Sequence, residues 1–127
     1  MGTTVTGAAF QSGTYLPTVS NQVNTVGVPI VNGNAKYVRI GNIVTVYGEI
    51  SVDPVAITPT ATTWELSLPI ASSLAFTYNL SGHITGGDFI EGGGIRAQVA
   101  NNRAYCFYSA STSAADVIFF SFMYEIL

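Results

Sequence analysis

Residues 37–54 read YVRIGNIVTVYGEISVDP, and apolar and polar positions alternate along them. Val44, Val46, Gly48, Ile50 and Val52 fall on one parity, and Thr45, Tyr47, Glu49 and Ser51 on the other. A period of two marks a strand with one face in a core and one facing outward. Gly41-Asn42 separates this strand from AKYVRI at 35–40 and suits a two-residue hairpin turn. The same alternation recurs in TWELSLPI (63–70). There Trp64, Leu66, Leu68 and Ile70 are expected inside, and Thr63, Glu65 and Ser67 outside. In YNLSGHITG (78–86), Leu80, Gly82 and Ile84 share a face.

GIRAQVA (94–100) and RAYCFYS (103–109) flank Asn101-Asn102, a pair tolerant of positive φ, and predict a second tight hairpin. GTYLPTVS (13–20) predicts a first short strand, which Pro17 makes an edge or bulged strand. Asn32-Gly33 signals a turn, and the two prolines in DPVAITPTAT (53–62) mark a surface loop. GGDFIEGGG (86–94) reads as a glycine-rich loop. DVIFFSFMYEIL (116–127) is a long final strand, largely apolar on both parities, as suits a central strand or a subunit interface. The sum is an all-β antiparallel chain of about eight strands, a sandwich or barrel without a helix of ordinary length. Residues 1–12 predict a flexible N-terminal arm and residues 13–127 a single β-sandwich domain.

Composition adds one fact to this picture. Charged residues are 9% of the 127-residue chain, with four basic against seven acidic side chains and a net charge of −3. About 25% is typical of soluble domains. Ser, Thr and Asn, 33 residues together, take the place of charge. A surface so poor in charge and rich in Tyr and Phe points to burial against other subunits. No basic cluster is present to neutralise phosphates, which argues against direct nucleic-acid binding. Residues 1–13 lack a basic start followed by an apolar run, and no stretch approaches the length of a membrane-spanning helix.

Candidate chemistry is sparse. His83, the single histidine, has outward parity and no G-x-S-x-G elbow accompanies it. Cys106 lies in a strand-like run and reads as a small core residue. Two Cys and His residues in total are too few for a zinc site within one chain. Asp88 and Glu91 could contribute to calcium binding, but two carboxylates and a loop of glycines read more simply as a hairpin connection. No carboxylate pair among Glu49, Asp53, Glu65, Asp88 and Glu91 has a spacing that selects it for glycoside hydrolysis. The expectation is a non-enzyme without cofactor or metal. Tyr37, Tyr47 and Tyr105, read as outward-facing, are candidates for glycan stacking or partner contact.

GTYLPTV (13–19), the Y-x-R-x-G-x-x-V-x-V-x-G core at 37–48, LSLPIASSL (66–74) and FFSFMYEIL (119–127) occur in this order. Together they resemble a β-module of bacteriophage virion proteins, found at the ends of tail fibres and as stand-alone surface proteins. The resemblance spans roughly residues 13–127. It implies a jelly-roll-like sandwich that trimerises, with a structural or binding role. A chain with only a dozen residues ahead of the module would dock directly on a larger assembly.

The expected function is therefore a capsid decoration or cement protein. It would be made in a host bacterial cytoplasm and carried on the virion surface, without membrane or direct nucleic-acid contact. Its partners would be two further copies of itself, the major capsid protein and neighbouring trimers. Phe119, Met123 and Leu127 are expected at the trimer contact, and Thr3, Thr4, Val5 and Phe10 on the capsid-contacting arm. The alternative is a receptor-binding tip that recognises host surface glycan.

Overall fold

A computed structural model describes residues 10–86 and 91–127. Ten strands follow one another: β1 (Phe10–Tyr15), β2 (Val19–Val23), β3 (Ile30–Val31), β4 (Ala35–Ile40), β5 (Ile43–Val52), β6 (Thr62–Leu66), β7 (Leu80–Thr85), β8 (Gly92–Gln98), β9 (Arg103–Ser109) and β10 (Asp116–Glu125). All pairings are antiparallel, and nine strands form one curled sheet in the order β1-β4-β5-β10-β7-β8-β9-β6-β2. β3 pairs with the far end of β5. The two end strands of the sheet, β1 and β2, are consecutive in the chain, joined by Leu16, Pro17 and Thr18 alone. The sheet must therefore curl until its edges meet at that corner. Ser67 fastens the meeting point: its carbonyl accepts from the Tyr15 hydroxyl at 3.0 Å, and its hydroxyl accepts from the Thr18 N–H at 2.8 Å.

The inner face of the curl is the core. It holds Val44, Val46, Ile50, Trp64, Leu66, Leu80, Ile84, Ile95, Cys106, Ile118, Phe120, Phe122 and Tyr124, all buried. Those on β5 and β7 have the inward parity read from the sequence. The central position of β10, between β5 and β7, explains its apolar inner row. Gly48 and Gly82 leave room for Phe120 and Phe122: a Cβ on Gly82 would lie 2.2 Å from the Ser121 carbonyl oxygen. The β4–β5 hairpin turns at Gly41 with φ 60°, and Ile40 pairs with Ile43, as the two-residue turn requires.

Five sequence expectations are corrected. The first strand begins at Phe10, three residues inside the arm expected at 1–12, and residues 13–20 form two strands broken at Pro17. The strand expected at 63–70 stops at Leu66, where Pro69 approaches, and Leu68 and Ile70 pack on the core from a loop. The last strand ends at Glu125 instead of Leu127. The second hairpin turns through four residues, since Gln98 pairs with Arg103 and Asn102 alone has φ of 53°. Finally, Gly92 and Gly93, expected in a loop, belong to strand β8, which starts two residues before the strand expected at 94–100. Gly93 is needed there because a Cβ would lie 1.9 Å from the Phe107 carbonyl oxygen.

Candidate functional site

The outer face of the sheet is set by register. Lys36 stands opposite Tyr47, Tyr47 opposite Ser121, Ser121 opposite His83, and His83 opposite Gly94. One pleat along, Glu49 stands opposite Phe119 and Phe119 opposite Thr85. Paired residues in an antiparallel ladder share a face, so these side chains form two adjacent rows, the first across five strands and the second across three. Ser121, small and set between Tyr47 and His83, lowers the floor, while Tyr47 and Phe119 stand above it. The result is an open groove of about 410 Å³ lined mainly by apolar atoms. Asn32, Asn34, Lys36, Glu49, His83 and Thr85 put polar groups along it. Tyr47 is 48% exposed and Phe119 53%, high values for large side chains on a sheet. Met123 lies on the same face four residues further along β10, about 13 Å away, and is also half exposed. Ile43 and Val117 extend the apolar strip.

The residues expected at a contact surface are thus divided. Phe119 and Met123 share the outer face of β10. Leu127 lies past the end of that strand, where its N–H donates to the Ser72 hydroxyl at 3.0 Å and it borders a separate hollow with Ala71, Ser73 and Arg103. Tyr47 lines the groove. Tyr105 is outward but half-buried, with the Arg96 guanidinium 5.0 Å from its ring centre. Tyr37 corrects the sequence reading. It pairs with Val46, so it faces inward, where its ring meets Tyr15 edge-on at 6.2 Å and covers Gly13. Phe10 opens β1 on the outer side, 54% exposed. Thr3, Thr4, Val5 and Asp88 lie outside the described residues.

Two polar clusters lie apart from the groove. Glu65, expected to face solvent, is buried on the outer side of β6. Asn21 and Asn101 each donate a side-chain amide to it at 3.1 Å, and Gln98 donates at 3.4 Å. These three residues come from β2, from the β8–β9 turn and from the end of β8. The second cluster is Glu91 with Ser111, Asp116 and Tyr108. The Ser111 hydroxyl donates to Glu91 at 2.7 Å, and the Tyr108 hydroxyl donates to Asp116 at 3.4 Å. Burial works to raise Glu91, but bonds from Ser111 and from the Asp116 carboxyl outweigh it and hold Glu91 below its ordinary value. Burial and the neighbouring Glu91 charge raise Asp116. The pair therefore favours a proton on Asp116, donated to the Glu91 carboxylate.

Cys106 and Tyr124 face the core. Burial raises the Cys106 thiol, and the Glu65 charge adds to this, which keeps it a protonated core side chain. Burial pushes Tyr124 up to about 12, and its hydroxyl donates to the Ile70 carbonyl at 2.7 Å. Among the described residues no three His, Cys, Asp or Glu side chains gather where they could hold a metal ion. Nor is any described helix long and apolar enough to cross a membrane.

The groove was partly legible beforehand. The outward parity of Tyr47 was read directly, and Phe119 was placed with Met123 on one face of the last strand as a contact. The pairing of β10 with β7, which brings in His83 and Thr85, had no local signal. No family model, curated protein or solved structure is similar to the chain.

Proposed function

We propose that the chain is a structural protein of a bacteriophage particle, a decoration protein that sits on the capsid as a trimer and stabilises the shell. In this reading the curled sheet is a jelly-roll-like sandwich, with β1, β4, β5, β10 and β7 laid over β8, β9, β6 and β2. The observation that carries the reading is the exposed strip Ile43, Tyr47, Phe119, Met123 and Val117 on the outer face of β5 and β10. Large side chains half exposed in one strip, on a chain with 9% charge, suit a surface covered by protein. Lys36 and Glu49 border the groove at adjoining positions, so a second copy can meet it with opposite charge. The work done is mechanical. Each contact is weak, and symmetry repeats it, so the assembled coat gains by avidity what one copy lacks. The partners are two further copies, the major capsid protein and neighbouring trimers, and the place is the capsid surface.

Replacing Phe119 by Asp tests this. A charge at the middle of the strip is expected to convert a trimer into smaller species, read as mass by light scattering. A Phe119→Asp protein that keeps the trimer mass refutes the assignment of the face.

A second reading, a tip that recognises host glycan, is favoured by the groove's own polarity. An aromatic ring beside Asn32, Asn34, Glu49 and His83 offers a stacking plane together with donors and acceptors. It would show as polysaccharide binding that Tyr47→Ala abolishes without changing the mass. A decoration protein shows no such binding.

A further inference from the structure

A curled sheet that does not close has two edges, and an unpaired edge offers its free N–H and C=O groups to any extended chain. The two edges of this sheet are built differently. β2 is guarded. Its register with β6 shifts between Ser20 and Val23, Asn21 takes φ 52°, and the Asn21 amide turns away to Glu65. A bulge of this kind twists an edge out of line for pairing. β1 has no such device. It pairs with β4 in unbroken register over all six residues, Phe10 with Ile40 through Tyr15 with Ala35. FQSGTY contains no charge and no proline. Among the described residues it is bonded to β4 alone, so alternate residues point their backbone groups away from the sheet.

The strip beside this edge is apolar. Phe10, Ile40 and Ile43 lie in one outer row, 54%, 53% and 42% exposed. A strand laid against β1 would cover Phe10 and continue that row. A second copy fits without adaptation. Antiparallel pairing of β1 with its own image, about a twofold axis perpendicular to the sheet, keeps both outer faces on one side and sets no charges against each other.

We propose that the free edge of β1 pairs with β1 of a second copy of this chain, joining two sheets into one. The inference extends the contacts between neighbouring assemblies and does not rest on the β10 face. β4 lies between the β1 edge and the β5–β10 face, so either can fail alone.

Cross-linking tests it, in the wild-type chain and in the Phe119→Asp background. Ser12, at the middle of β1 and outward, is replaced by Cys and treated with a short bismaleimide. Cys106 is fully buried, so the introduced thiol is the one addressed. Ser12→Cys is expected to give a covalent dimer in both backgrounds. Thr60→Cys, on the exposed loop before β6, is expected to give none at the same concentration. Ser12→Lys, which sets like charges near each other across the axis, is expected to shift the Phe119→Asp chain from two copies to one. Equal cross-linking at Ser12 and Thr60, or a Ser12→Cys chain that stays single under the reagent, overturns the proposal.

Discussion

At the scale of single residues, the outer face of β6 departs furthest from the alternation rule. Glu65 has the parity of a solvent-facing side chain, yet three amides close over it and no cation does. Its value lies in acceptor geometry, since two carboxylate oxygens receive three donors from separate elements. Glu65→Gln keeps the shape but replaces one acceptor oxygen with an NH2 group that faces other donors. It is expected to cost about 1–3 kcal/mol, the range for buried polar groups left without partners. Urea denaturation measures this, and an unchanged midpoint would mean the cluster contributes nothing. Gly93→Ala belongs to the same scale. A methyl group 1.9 Å from the Phe107 carbonyl forces β8 and β9 apart. A loss of about 1–3 kcal/mol is expected from overpacking, read in the same experiment.

At the scale of elements, hairpin chemistry and alternation carried most of the strand assignment. The β4–β5 hairpin and the inner rows of β5 and β7 were legible in the sequence, as was an edge or bulged strand at Pro17, though not its division into β1 and β2. Tyr37 was not, because its side depends on counting across the Gly41-Asn42 turn to Val46 and not on its own neighbours. Gly92 and Gly93 were misread as loop. Glycine disfavours strands by local propensity, and at Gly93 the approach of the Phe107 backbone explains its use.

The Glu91–Asp116 pair ties the start of β8 to the start of β10 and gives a pH signature. Glu91 is lowered, so its contribution is present above its ordinary value and is lost as pH falls through the lowered one. Asp116 is raised, so its contribution is present below its ordinary value and is lost as pH rises through the raised one. Asp116→Asn removes that second loss. Relative to wild type, its melting temperature is expected to rise between about pH 4 and about pH 7, the range that spans carboxyl titration to neutrality. A difference that stays constant across this range would show that the two carboxyls do not interact.

At the scale of the whole molecule, the chain buries an apolar core on its inner face and leaves Ile43, Tyr47, Val117, Phe119 and Met123 exposed on the outer face of β5 and β10. Low charge and this strip point the same way, towards a protein finished by its neighbours. In the proposed assembly the β10 face would supply a threefold contact and the β1 edge a twofold one, and the two together would let trimers join into a continuous coat. Native mass spectrometry of the purified chain reads both at once. Assemblies of three or six chains of 13.4 kDa are expected, falling to one or two chains on Phe119→Asp. A wild-type protein found only as one or two chains would contradict the trimer, and with it the reading of the β10 face as the surface on which the particle is built.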